Sequence, residues 1–296
     1  MIEKLKDLQI GEVLEEVDLK NYTTFRVSCT PKCLIKPKDE NSLITLLKFL
    51  KEENIRYKIL GKGSNVVFVN PTFDGVIICL DHFDYLEIDE NKIVVGAGYS
   101  LIALSAKLSK LGYTGLEFAS GIPGGVGASV CMNVGAHGSS MQEIVKRVKV
   151  INDKLEIEYL ENKDLNFSYR DSFFKHHKEY ICLEVEFYLE KGNPKEIQET
   201  IEEFRLRRSS TQPLEYPSAG SVFRNPEGLA AGKMIDDLGW KGKKVGGAEV
   251  SDKHANFIIN TNNATGSDIK ELILQIKEEV KKVYNIDLVL EIELVE

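Results

Sequence analysis

The sequence predicts an α+β fold on three observations. Apolar residues recur at helical spacing in some stretches, as in Ile269, Leu272, Ile273, Ile276, Val280 and Val283. In others they alternate with the period of a strand, as in Leu290, Ile292 and Leu294. Between the elements lie glycine-rich loops, densest at 61–65 and 121–138.

In chain order, Cys33 to Pro37 predicts a strand. Asn41 or Ser42 then caps a helix with apolar positions Leu43, Ile44, Leu46, Leu47 and Leu50. Tyr57 to Leu60 predicts a second strand, which makes a βαβ-like start. Strands follow at 66–69, 76–80, 85–88 and 93–95. Ser100 caps a helix through Leu111, and Gly112 sits where a terminating glycine belongs. Residues 146–159 and 180–189 read as strands. A charged helix spans 195–208, a strand 256–260, an amphipathic helix 267–284 and a last strand 288–295. The composition shift at Gly192-Asn193-Pro194 marks the best boundary.

The 296 residues suit about two ordinary domains. A net charge of -8 argues against a nucleic-acid-binding face, so an anionic ligand must be held by local donors. No apolar run reaches the roughly 18 residues of a membrane span, and the first 20 residues are charged. A cytoplasmic, membrane-free protein is expected. Cys29, Cys33, Cys79, Cys131 and Cys182 are odd in number and scattered, which suits buried free thiols better than disulfides or a metal site. His82, His176, His177 and His254 lack ligand spacing and read as structural or surface residues.

Gly61-Lys62-Gly63-Ser64-Asn65 joins two strands, where positive φ and successive backbone N–H groups can make an anion nest. Alone it is equally well a tight turn. Gly121-Ile122-Pro123-Gly124-Gly125-Val126-Gly127-Ala128-Ser129 is poor helix and poor strand, and suits backbone passing against a flat ligand. It continues into Asn133-Val134-Gly135-Ala136-His137-Gly138. Neither loop is a Rossmann fingerprint or a P-loop, so a dinucleotide here is expected on strand-to-strand loops.

With these residues the chain resembles the UDP-N-acetylenolpyruvoylglucosamine reductases, of the flavoprotein fold shared with vanillyl-alcohol oxidase and p-cresol methylhydroxylase. The resemblance runs over nearly the whole chain. It includes Asn21-Tyr22-Thr23-Thr24-Phe25-Arg26-Val27, both glycine loops, Tyr169-Arg170-Asp171-Ser172-Phe173 and Pro217-Ser218-Ala219-Gly220-Ser221-Val222-Phe223. Ala231-Gly232-Lys233, Val245-Gly246-Gly247-Ala248 and Leu290-Glu291-Ile292-Glu293 complete it. Gly125, His137 and Ser28-Cys29 depart from the family's usual residues. The resemblance implies FAD, NADPH as co-substrate, and reduction of an enolpyruvyl ether on a UDP-amino-sugar to UDP-N-acetylmuramate for peptidoglycan. It implies flavin lobes at 1–80 and 81–192 and a substrate lobe at 193–296, of the compact type without an inserted capping loop. A monomer is expected.

The implied chemistry needs a cation at a developing enolate, an acid for its carbon and a cradle for a diphosphate. Read alone, Arg170 is as well a surface partner of Asp171 or Asp164. The family motif Tyr-Arg-x-Ser-x-Phe makes it the cation, since guanidinium grips a carboxylate with two hydrogen bonds. Ser221, otherwise a turn serine, becomes the acid, and Glu293, otherwise a solvent-facing glutamate, the carboxylate that orients or polarises. Flavin contacts are expected from Gly61, Lys62, Gly63, Ser64, Asn65, Gly121, Ile122, Pro123, Gly124, Gly127, Ala128, Asn133, Ala136 and His137. Substrate contacts are expected from Tyr169, Arg207, Arg208, Asn225 and Lys253, although the arginines equally suit a solvated helix end. The competing readings are an oxidase of the same flavin fold and a non-catalytic nucleotide-sugar binder.

Overall fold

Asp39, rather than Asn41 or Ser42, starts the first long helix. Its carboxylate accepts the Ser42 N–H at 2.8 Å, so the helix Glu40–Glu52 begins two residues before the earlier of the two expected starts. It buries Leu43, Leu46, Leu47 and Leu50, as the apolar spacing predicts. The computed structural model describes all 296 residues. They form two units. The first comprises Met1–Glu15, Cys33–Lys62 and Gly75–Arg207; the second comprises Glu16–Lys32, Gly63–Asp74 and Arg208–Glu296.

In the first sheet the strand Thr72–Cys79 inserts between Thr30–Pro37 and Tyr57–Leu60, the two strands of the βαβ-like start. Tyr57–Leu60 runs parallel to it, with Leu60 opposite Cys79. A second sheet is antiparallel throughout, in the order Ile157–Glu161, Val145–Ile151, Ile181–Tyr188, Lys92–Gly96, Leu86–Asp89. The run 146–159 is therefore two strands, not one. Asn152 ends the first, because its carboxamide oxygen accepts the N–H groups of Lys154 and Glu156 at 3.0 and 2.9 Å. Ser100 caps the helix Leu101–Lys110, and Gly112 follows it with φ +80°. One apolar core, with Leu46, Ile78, Val95, Leu104, Val148 and Phe187, joins these elements.

The glycine-rich stretch holds a helix where none is predicted, Val126–Cys131. Burial of Val126 and Val130 outweighs the poor propensity of Gly127 and Ser129. Gly127 makes the packing possible, since a Cβ there would lie 2.6 Å from that of Ala97. The backbone from 121 to 138 is thus not one flat ribbon but loop, helix and the small hairpin Gly135–Ala136 with Ser139–Ser140.

The helix Pro194–Thr211 carries proline at its first position, and Asn193 accepts the Lys195 N–H at 3.0 Å. The first unit ends inside this helix, at Arg207. In the second unit the helix Gly266–Tyr284 packs on the sheet Lys244–Val245, Ala248–Val250, Ile258–Asn260. Thr265 and Asp268 form a reciprocal capping box. Ile269, Leu272, Ile273, Ile276 and Val280 are buried, each worth about 1.5–3 kcal/mol. Val283 lies on the same helical face but in the last turn, where it is 57% exposed. Glu293–Val295, the end of the predicted last strand, runs parallel to Val66–Phe68.

All five cysteines are free, and burial pushes Cys29 and Cys33 up to about 11 and Cys79 to about 12, so they are poor nucleophiles. No helix is long and apolar enough to cross a membrane.

Candidate functional site

Within the first unit, Ser168 and Asp171 exchange both backbone hydrogen bonds at 3.1 Å, which makes a two-residue hairpin with Tyr169 and Arg170 at its tip. Arg170 has φ +54°, a left-handed conformation that disfavours a residue with a Cβ by about 1–2 kcal/mol. Three bonds dock the hairpin. Asn133 Nδ2 donates to the Ser168 carbonyl at 2.8 Å, Ser172 Oγ to the Cys131 carbonyl at 2.6 Å, and Arg170 Nη2 to the Gly135 carbonyl at 2.8 Å. At about 1 kcal/mol net apiece they offset the strain. Burial would raise the Asp171 carboxyl, but hydrogen bonds with His176 and the Ser172 N–H hold it below its usual range.

The two glycine loops meet in this unit, since a Cβ on Gly61 would touch that of Ala128 at 3.3 Å. Lys62 Nζ lies 3.1 Å from the Asp81 carboxylate, which also takes Lys36. His137 lies flat on Phe204 at 3.7 Å, and Arg207 follows Phe204 by one turn on the same helix, exposed. Asn133, expected against the flavin, has its carboxamide engaged within the chain: besides Ser168, its oxygen accepts the Gln142 N–H at 3.0 Å.

Within the second unit, Gly63 has φ +62°, and a Cβ there would sit 2.1 Å from the Tyr22 carbonyl oxygen. Thr24 N–H donates to the Gly63 carbonyl at 3.1 Å and its hydroxyl to the Ser218 carbonyl at 2.7 Å. Glu293 N–H donates to the Asn65 carbonyl at 2.9 Å, and Asn65 Nδ2 to the Glu291 carbonyl at 3.0 Å. Glu291 N–H in turn donates to Val222 at 2.8 Å, next to Ser221. The loop 63–65, Ser221 and Glu293 therefore share one hydrogen-bonded framework.

Asn256 completes that framework. Its side chain accepts the Phe223 N–H at 3.0 Å and donates to the Phe223 carbonyl at 2.8 Å. In the sequence Asn256 is only the first residue of an expected strand, which in fact begins at Ile258, because nothing local marks an asparagine that will be buried. Thr24 is equally unmarked, although it stands in the motif Asn21 to Val27. Asn225 accepts the Ala231 N–H at 3.0 Å and so starts the helix Ala231–Asp237. Lys253 Nζ donates to the Ser209 carbonyl at 2.7 Å, beside Arg208, whose guanidinium burial pulls below its ordinary value. Lys253 and Arg208 are thus neighbours in one corner, while Asn225 serves a different element.

Residues 31–158 match the family model of an FAD binding domain. Residues 212–295 match that of the C-terminal domain of UDP-N-acetylenolpyruvoylglucosamine reductase. The UDP-N-acetylenolpyruvoylglucosamine reductase of Bacillus licheniformis is 38% identical over 296 residues, covering 100% of this chain and 98% of the relative. The chain belongs to the UDP-N-acetylenolpyruvoylglucosamine reductase family. A crystal structure of UDP-N-acetylenolpyruvylglucosamine reductase from Thermus caldophilus is similar at a TM-score of 0.83 and 31% identity, over 96% of this chain and 98% of that one. A xylooligosaccharide oxidase of Myceliophthora thermophila, at TM-score 0.50 and 16% identity over 64% of this chain and 42% of its own, shares the fold alone. The fold is the α+β FAD-binding type of vanillyl-alcohol oxidase and p-cresol methylhydroxylase, and the strand–helix–strand start and antiparallel second sheet are its frame here. Within the family pattern, Gly125 is buried, and His137 presents its ring to Phe204.

Proposed function

We propose that this protein is an FAD-containing, NADPH-dependent reductase that converts the enolpyruvyl ether of UDP-N-acetylglucosamine-enolpyruvate to UDP-N-acetylmuramate, a cytoplasmic step of peptidoglycan precursor synthesis. Family membership supports the reaction class. The observation that carries the assignment of residues is the framework that ties Ser221 and Glu293 to the loop 63–65 through Asn65.

The residues fit a flavin nucleotide. Ser120 Oγ, 3% exposed, directly precedes Gly121, and Thr23 Oγ1, 8% exposed, packs where Gly63 approaches. Neither hydroxyl has a hydrogen-bond partner within the chain. A buried hydroxyl left so loses about 1–3 kcal/mol, and a polar cofactor against each loop supplies the missing bond. FAD, when bound, supplies the hydride chemistry. Gly61, Lys62, Gly63, Ser64 and Asn65 hold it with the loop 121–124, Gly127, Ala128, Ala136 and His137. Backbone N–H groups do much of this work, because the Lys62 ammonium already faces Asp81.

Arg170 binds the substrate carboxylate and stabilises the charge that develops there, as a fixed guanidinium can. Ser221 gives its hydroxyl proton to the carbon beside that carboxylate. Glu293 orients the reacting groups. Tyr169, Arg207, Arg208, Asn225 and Lys253 hold the sugar and diphosphate. In this reading 1–80 and 81–192 serve the flavin, 193–296 serves the nucleotide sugar, and the chain acts as a monomer.

The test separates the two halves of the cycle under anaerobic stopped flow. NADPH should bleach the yellow protein, and the enolpyruvyl nucleotide should restore its colour. Ser221→Ala should leave bleaching nearly intact and slow recolouring by about two orders of magnitude or more. Equal slowing of both halves would remove Ser221 from the role of acid.

A further inference from the structure

We infer that Asn133 and Ser172 are positioning residues that hold the Arg170 side chain in its working place, an inference that rests on the reading of Arg170 given above. The hairpin that bears Arg170 is short and lies outside the sheets of its unit. Its only backbone pairing is the exchange between Ser168 and Asp171. Its tip is strained, with Arg170 at φ +54°. Left to itself such a tip relaxes to a negative φ, which swings the Cβ and with it the guanidinium.

Two side chains prevent this, one on each flank of the tip. Before it, Asn133 Nδ2 donates to the Ser168 carbonyl at 2.8 Å. After it, Ser172 Oγ donates to the Cys131 carbonyl at 2.6 Å. Both donors are buried, Asn133 at 4% exposed and Ser172 at 1%. Asn133 is itself fixed, with φ +42° and its oxygen taken by the Gln142 N–H at 3.0 Å. Residues 131–133, at the end of the helix Val126–Cys131, thus form the seat on which the hairpin rests. With both flanks seated, the Arg170 Nη2 bond to the Gly135 carbonyl sets the plane of the guanidinium. A misplacement of about 1 Å in such a group costs on the order of a hundredfold in rate. Asn133 therefore acts through Arg170, by way of Ser168.

Asn133→Asp tests the donor directly. The ionised carboxylate cannot donate and repels the Ser168 carbonyl; the protonated acid donates again, and one oxygen still accepts from Gln142 in either form. Recolouring of the reduced enzyme by the enolpyruvyl nucleotide should fall about tenfold or more at about pH 8 and recover toward the wild-type rate near pH 5.5, in the range a buried carboxyl titrates. Ser172→Ala should slow recolouring about tenfold, change NADPH bleaching less than about threefold, and speed hydrogen exchange at the amides of 168–172 in the holoenzyme. The inference is overturned if the rate ratio of Asn133→Asp to wild type is flat with pH, or if Ser172→Ala slows both halves alike or neither. A wild-type enzyme that bleaches with NADPH but is not recoloured by the nucleotide overturns the reading of Arg170, and this inference with it. Wild-type recolouring matched by both variants overturns the inference alone.

Discussion

Arg170 shows how much of a residue's role lies outside its own chemistry. Its guanidinium carries the planar fork that a carboxylate needs, but its direction comes from a left-handed backbone and from the Gly135 carbonyl. Arg170→Lys keeps the charge and loses the fork, so recolouring by the enolpyruvyl nucleotide should fall roughly a hundredfold, the scale of losing one preorganised donor. NADPH bleaching should change far less. Turnover close to wild type would count against Arg170 as the enolate partner. From sequence the candidate arginine was legible only through its motif. The strain at its φ and the partners of Ser168 and Ser172 were not, because residues 131–135 reach them only after some 35 intervening residues have folded.

At the scale of elements, the extended segment Ser221, Val222 and Phe223, bridged to Phe257 and Leu290, is held by one asparagine and one histidine. Asn256 grips Phe223 on both backbone groups, and the Asn256 N–H donates to His254 Nδ1 at 3.2 Å, which only a neutral ring can accept. Burial lowers the pKa of His254, with a smaller push from the charge of Lys241. The folded pKa thus lies below that of the unfolded chain, about 6.5. Above that pH both states are neutral and this group adds no pH dependence. As pH falls below it, the unfolded chain takes up a proton that the folded chain resists, so stability drops until the folded pKa is passed. Melting temperature should accordingly decline more steeply between about pH 7 and pH 5 in the wild type than in His254→Gln. Parallel slopes would take His254 out of the account. The elements themselves were mostly legible from periodicity, as in Glu40–Glu52 and Gly266–Tyr284, whose apolar stripes face the cores. The misses were local contests: Asn152 cut a strand in two, and buried valines made a helix out of a glycine-rich loop.

At the scale of the whole molecule, a resident flavin must stabilise the folded chain by mass action. Free FAD at about a hundred times its dissociation constant adds about 2.7 kcal/mol. For a chain of this size that is a rise of roughly 4–5 °C in melting temperature. The rise should grow with the logarithm of FAD concentration when apoprotein is titrated. A melting temperature indifferent to FAD would contradict the fit of Ser120 and Thr23 to the cofactor.

The α+β class and most of the helices and strands were determined by the sequence itself, since periodicity and capping are local properties, while the candidate site residues stand out in it only through their motifs. Tertiary structure alone decided how they are held: Asn65 bridging Glu291 and Glu293, Asn256 clamping Phe223, Asn133 seating the Arg170 hairpin. Each of these is a polar group that must find its partner when water is excluded, and which partner it finds depends on chain segments brought together from far apart in sequence.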